Sequence, residues 1–221
     1  MSTVSQPANS LASVMFLMGV IALVLGFSLP GHFAPYRTFY QELSSFLGVL
    51  FIVIAILARN GGRLSFSYSS LFVFAVAVIP LLQYFSSTIL FFEDALLSSV
   101  YLVGFAFAIT AGRELDTEWT EVLLWGLVLV AVFSVSVSTI HWLQIDYTAG
   151  GIIETPFHST PSGNMGQRNH FATLTMMGVG SLLYLNHARR VGNITTVMLI
   201  LFFVFGLALS KSRTPWVDAF I

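Results

Sequence analysis

Between Gly163 and His170 the chain reads Gly-Asn-Met-Gly-Gln-Arg-Asn-His, its densest polar run, and turns apolar at Phe171. A helix starting there would offer its first-turn N–H groups and the positive end of its dipole to an anion. Asn169 is the expected N-cap. Gly163 and Gly166 would let the backbone come close to a ligand. Arg168 adds a forked donor suited to phosphate, with Gln167 and His170 beside it. The alternative is that Arg168 anchors in lipid headgroups and Asn169 merely caps.

A second cluster, Ser210-Lys211-Ser212-Arg213-Thr214-Pro215-Trp216, has the same character. Thr214 reads as an N-cap and Pro215 as the first residue of a helix. Lys211 and Arg213 stand just before that second positive helix end. Interfacial anchoring by Lys, Arg and Trp is the competing reading. Two anion-friendly helix ends on one side of a membrane would suit a shared diphosphate.

His141 and His170 flank the polar segment between them. Histidine is the natural general base near neutral pH, although a lone one near a helix end is more often structural. No His–carboxylate spacing suggests a metal site. Cysteine is absent, which excludes disulfides and thiolate chemistry. Glu93 and Asp94 are expected in an exterior loop. Glu114, Asp116, Glu118 and Glu121 are expected as a solvated helix end. Gly163-Asn164-Met165-Gly166 matches a GxxG pattern, but this composition cannot build an RNA-binding domain around it. Asn193-Ile194-Thr195 is a glycosylation sequon at an expected cytoplasmic helix start.

The elements that position these residues follow from the solvent. Charged residues are 9% of the 221-residue chain and hydrophobic ones 56%, and the mean hydropathy is +0.85. Soluble domains carry about 25% charge, so lipid is the solvent that fits. In lipid the backbone must satisfy its own hydrogen bonds. The apolar runs are continuous rather than alternating, which selects helices over a barrel. The expected fold is all-α and polytopic, with seven spans and the start of an eighth near Trp216. The spans are Leu11–Leu29, Leu43–Ala58, Leu71–Tyr84, Leu96–Gly112, Val122–Ile140, Phe171–Asn186 and Ile194–Leu209, the third interrupted by Pro80. The first lacks a basic leader and reads as a retained helix.

Arg59, Arg63, Arg113, Arg189 and Arg190 fall in one set of loops, and Arg37, Arg168, Lys211 and Arg213 in the other. The first set sits in tight turns where a cation has no visible task beyond anchoring. That set and the N-terminus are therefore expected in the cytoplasm. The longest polar segment, His141 to Asn169, then faces the periplasm or exterior. Its length marks it as functional rather than as a plain connection.

The segment Gly163-Asn164-Met165-Gly166-Gln167-Arg168-Asn169-His170-Phe171-Ala172-Thr173 resembles the signature of bacterial protein O-oligosaccharyltransferases of the pilin-glycosylation type. These belong with the O-antigen ligases and Wzy-like polymerases. Ser212-Arg213-Thr214, Phe39-Tyr40-Gln41-Glu42 and Gln83 are similar to further recurring segments of the family, so Glu42 and Gln83 join the candidate site residues.

The resemblance implies a multi-pass protein of the bacterial inner membrane that takes a glycan from undecaprenyl diphosphate on the periplasmic face. The acceptor would be a Ser or Thr hydroxyl of a pilin-like protein, or lipid A core sugar in the ligases. It implies no nucleotide sugar, no cofactor and no essential metal, and nothing suggests nucleic acid as a partner. Arg168 and Arg213 would hold the carrier diphosphate as it leaves. Family members carry about a dozen helices and a large later loop with a catalytic His, which neither His141 nor His170 matches. The chain is therefore expected to be the N-terminal portion of such a transferase and inactive alone. A transporter half or scaffold is the competing class. The spans hold essentially no ionisable residues, which argues against ion coupling.

Overall fold

A computed structural model describes residues 7–29, 39–145 and 161–211. Among them are eight α-helices, one short 3-10 turn and no strand. The helices are α1 (Pro7–Ser28), α2 (Phe39–Arg59), α3 (Tyr68–Val76), α4 (Ile79–Phe85), α5 (Phe92–Glu114), α6 (Thr117–Trp142), α7 (Arg168–His187) and α8 (Asn193–Ser210), with the 3-10 turn Gly163–Met165 before α7.

Six segments are long and apolar enough to cross a bilayer: Ser10–Ser28, Phe39–Arg59, Tyr68–Phe85, Phe92–Glu114, Thr117–Trp142 and Asn193–Ser210. The chain is a multi-pass membrane protein. The seventh expected span lies in α7, whose 20 residues reach about 30 Å at 1.5 Å per residue. Polar residues at both its ends, Arg168-Asn169-His170 and Asn186-His187, keep it out of the six. The beginning of an eighth helix near Trp216 lies outside the described residues.

Exposed apolar side chains recur at helical spacing. Ile194 (83%), Met198 (64%) and Leu201 (59%) form such a row on α8. Rows of this kind suit contact with acyl chains. Pro80 divides the third span as expected. The chain turns at Ala77 and Val78, between α3 and α4, and Pro80 takes a first-turn position in α4, where its missing N–H costs little.

Contacts divide the described chain into two units. The first contains the start of α1, the second half of α2, and α3 to α5. In it α3 and α4 both lie against α5, and Phe74 stands edge-on to Phe66 and Phe107. A Cβ on Gly19 would come within 2.7 Å of Ile52 Cγ1 and 2.8 Å of the Gly48 carbonyl. Small residues let membrane helices approach this closely, and dispersion then holds them, since lipid supplies little hydrophobic drive. Arg59 pairs with Asp116 at 2.5 Å. Glu114 accepts from Asn60 Nδ2 at 3.1 Å and from Ser65 Oγ.

The second unit contains the remainder of α1 and α2 with α6, the 3-10 turn, α7 and α8. Its core gathers Val128, Ala131 and Val135 of α6 with Phe171, Leu182, Leu185, Val191 and Phe203. Gly178 of α7 faces Ala131, and Gly206 of α8 faces Val135. Arg190 reaches Glu121 at 2.8 Å, and the Glu121 side chain is only 13% exposed.

Three expectations are corrected here. Phe39-Tyr40-Gln41-Glu42 does not precede the second helix, as the expected span Leu43–Ala58 has it, but forms the first turn of α2, and Glu93 and Asp94 lie in the first turn of α5 rather than in a loop. Carboxylates there meet the positive end of each helix dipole, which favours starting the helix at or before them. The acidic run at residues 114–121 is not simply solvated, because Glu114, Asp116 and Glu121 each hold a partner. Arg59 and Arg190 therefore have a task besides anchoring.

Candidate functional site

The 3-10 turn and the start of α7 divide the signature segment into a buried half and an exposed half. Ser162, Gly163 and Asn164 are buried, Met165 is half-buried, and residues 166–170 are exposed. Phe171 and Ala172 are fully buried again. The backbone produces this division through two left-handed glycines, Gly163 at φ +61° and Gly166 at φ +62°. Only glycine takes that region at little steric cost.

Gly163 lies directly on α6. A Cβ there would overlap Ser134 Oγ and approach the Ser134 carbonyl at 2.7 Å and Phe171 Cδ2 at 2.9 Å. The close approach expected of Gly163 is thus made to a helix. Gly166 is exposed.

Asn164 donates from Nδ2 to the Phe27 carbonyl in the last turn of α1. Gln41 donates from Nε2 to the Leu29 carbonyl at 3.1 Å. The final carbonyls of a helix lack partners inside it. Two amide side chains from distant segments therefore cap α1. The sequence reading missed Asn164. Its only local signal was an amide residue beside a glycine, which is also what an ordinary turn looks like.

Beyond Gly166 the chain is extended at Gln167 (φ −137°, ψ 127°), which is the N-cap of α7 and makes no side-chain capping bond. The Phe171 N–H bonds the Gln167 carbonyl at 3.1 Å. Asn169 is therefore not the N-cap, as expected from the sequence, but a first-turn residue. Left-handed Gly166 lets the chain turn into the helix two residues earlier. Arg168, Asn169 and His170 make up the exposed first turn, where helix geometry leaves N–H groups without intrahelical acceptors.

The remaining candidates divide by location. Lys211 is exposed and left-handed (φ +50°) as the C-cap of α8. It faces the negative end of that helix dipole, which a cation complements. Helices α7 and α8 pack together and are joined by residues 188–192. The start of α7 and Lys211 therefore lie at the same end of this hairpin. Glu42 is exposed in the first turn of α2, one residue after the capping Gln41. Gln83 is exposed on α4, in the other unit. His141 is not in a loop: it lies in the last turn of α6 and is 7% exposed. Arg213, Thr214 and most of the loop between His141 and Asn169 lie outside the described residues.

Residues 161–185, the turn and most of α7, match the model of a family described as protein glycosylation ligase. The chain is 27% identical over 210 residues to a general O-oligosaccharyltransferase of Acinetobacter baylyi, covering 92% of this chain and 36% of that protein. It is 22% identical over 207 residues to a ComP-specific O-oligosaccharyltransferase of the same organism, covering 92% of this chain and 37% of the relative. The chain thus spans just over a third of the length of these curated relatives. No solved structure matches it. The matches bear out the resemblance carried by the Gly163–Thr173 segment.

Proposed function

We propose that this relative of the protein O-oligosaccharyltransferases forms the donor-holding membrane portion of such a transferase. The donor is a glycan on undecaprenyl diphosphate, held at the periplasmic face of the inner membrane, and the acceptor is a protein hydroxyl. The observation that supports this reading is the exposed turn Gln167-Arg168-Asn169-His170, set on a buried base within the segment matched by the family model.

The chemistry follows from charge. The acceptor oxygen attacks the anomeric carbon, and the bond from that carbon to the diphosphate oxygen breaks. Negative charge grows on the departing diphosphate. The Arg168 guanidinium can take two of its oxygens at once, and first-turn N–H groups with the helix dipole favour the same charge. Such donors lower the barrier when they are in place before the charge develops. Lys211, at the same end of the α7–α8 hairpin, and Arg213 would add cations. The acceptor proton needs a base, and no residue of this chain is assigned that part. Glu42 and Gln83 stay as further candidates at the donor.

The test is Arg168→Ala and Arg213→Ala in the complete gene. Each is expected to abolish glycosylation of the acceptor protein while the transferase still accumulates in the membrane. Unchanged glycosylation in both would refute the reading. A ligase or polymerase reading differs only in its acceptor, and the names of the two relatives favour a protein acceptor.

A further inference from the structure

We propose that Asn164, Gly163 and Ser134 act as a pin that sets the position of the α7 first turn, and that Asn164 is a positioning residue for the diphosphate site. The inference rests on the donor-site reading above for its functional consequence, but not for its geometry.

Its N-cap side chain makes no capping bond, and residues 166–170 are all exposed. Buried anchors lie just before it and just after it. On one side Asn164, 6% exposed, is tied to the Phe27 carbonyl. Next to it Gly163 lies against Ser134, which is fully buried, so the turn cannot sink further toward α6. On the other side Phe171 and Ala172 are fully buried.

Two hydroxyls of α6, those of Ser134 and Ser138, are buried without a hydrogen-bond partner among the described residues. Ser136 and Thr139 of the same helix each donate to the carbonyl four residues back, at 2.8 Å. The Ser134 hydroxyl makes no such bond and has no partner among the described residues. Two points of attachment, Gly163 and Asn164, thus lie on adjacent residues of a chain about to enter α7. Losing the Asn164 bond should let the turn swing while the α7 core stays packed. A displacement of about 1 Å at a binding group is enough to cost much of its effect.

The experiment uses the full chain, which has no native cysteine, in lipid nanodiscs. Two buried reporters are introduced separately on α7: Ala172→Cys beside the turn and Ser181→Cys further along, at native positions 0% and 3% exposed. Each is combined with Asn164→Leu, and with Asn164→Gln, which keeps the amide donor. Maleimide reaches a buried thiol only through opening. Losing a hydrogen bond of about 1.4 kcal/mol raises an open population about tenfold. Asn164→Leu should therefore speed labelling at Ala172→Cys about tenfold and leave Ser181→Cys unchanged, with Asn164→Gln restoring the slower rate. Equal acceleration at both reporters would mean general destabilisation, and no acceleration at either would mean no pin. Both overturn the proposal.

In parallel, a fluorescent polyprenyl diphosphate is titrated onto the parent, Asn164→Leu and Arg168→Ala proteins. Asn164→Leu should weaken binding about tenfold at a temperature where Ser181→Cys stays protected. Unchanged affinity would overturn the positioning role. If the parent itself does not bind the probe, the donor-site reading fails, and the labelling comparison still decides whether the pin exists.

Discussion

The Asn164 side chain donates to the backbone carbonyl of Phe27, 137 positions earlier in the chain. With Gln41 on Leu29, it closes the carbonyl end of α1 through two amides from segments that are remote in sequence. Each bond satisfies a carbonyl that the helix itself leaves open.

Gln41→Leu should lower stability by about 1–3 kcal/mol, the cost of an acceptor left unsatisfied. Thermal unfolding of the purified protein in detergent measures this. A melting temperature equal to the parent's would show that the Leu29 carbonyl is satisfied in another way.

Two glycines of α7 should respond with opposite signs. A Cβ on Gly178 would overlap that of Ala131, whereas one on Gly180 meets nothing within 4 Å. Gly178→Ala should destabilise by about 1–3 kcal/mol through overpacking. Gly180→Ala should stabilise by about 0.5–1 kcal/mol through lower backbone entropy in the unfolded chain. The same thermal assay reads both, and a common sign would contradict the α6–α7 packing.

The two ion pairs should differ. Asp116 and Arg59 are both over a third exposed, while Glu121 beneath Arg190 is 13% exposed. Asp116→Asn should cost at most about 1 kcal/mol, and added salt should erase the difference from the parent. Glu121→Gln should cost more and keep most of its effect at high salt, since a largely buried group is screened less. Unfolding in low and high salt checks both.

Sidedness is open to labelling because the chain has no native cysteine. Gly62→Cys lies in the open turn after α2, and His170→Cys in the exposed start of α7. On the proposed topology an impermeant maleimide added to spheroplasts should modify His170→Cys and not Gly62→Cys. Modification of both, or of Gly62→Cys alone, would remove the periplasmic donor site.

The all-α membrane fold was legible in composition and run length, because a chain with so little charge must close its backbone bonds within each span. Pro80 announced the break in the third span, since a missing N–H acts locally. The exposed Gln167–His170 turn was visible as polar residues at a helix boundary. The start of α7 one residue before Asn169 was not, because left-handed Gly166 sets it and sequence does not reveal φ. Nor was the burial of Asn164, which depends on a carbonyl of α1 that only the assembled helices bring within reach. Periodicity reports what one segment buries. Which distant group completes a hydrogen bond is decided when the helices pack, and here that packing separates the buried Ser162–Asn164 from the exposed Gly166–His170 turn.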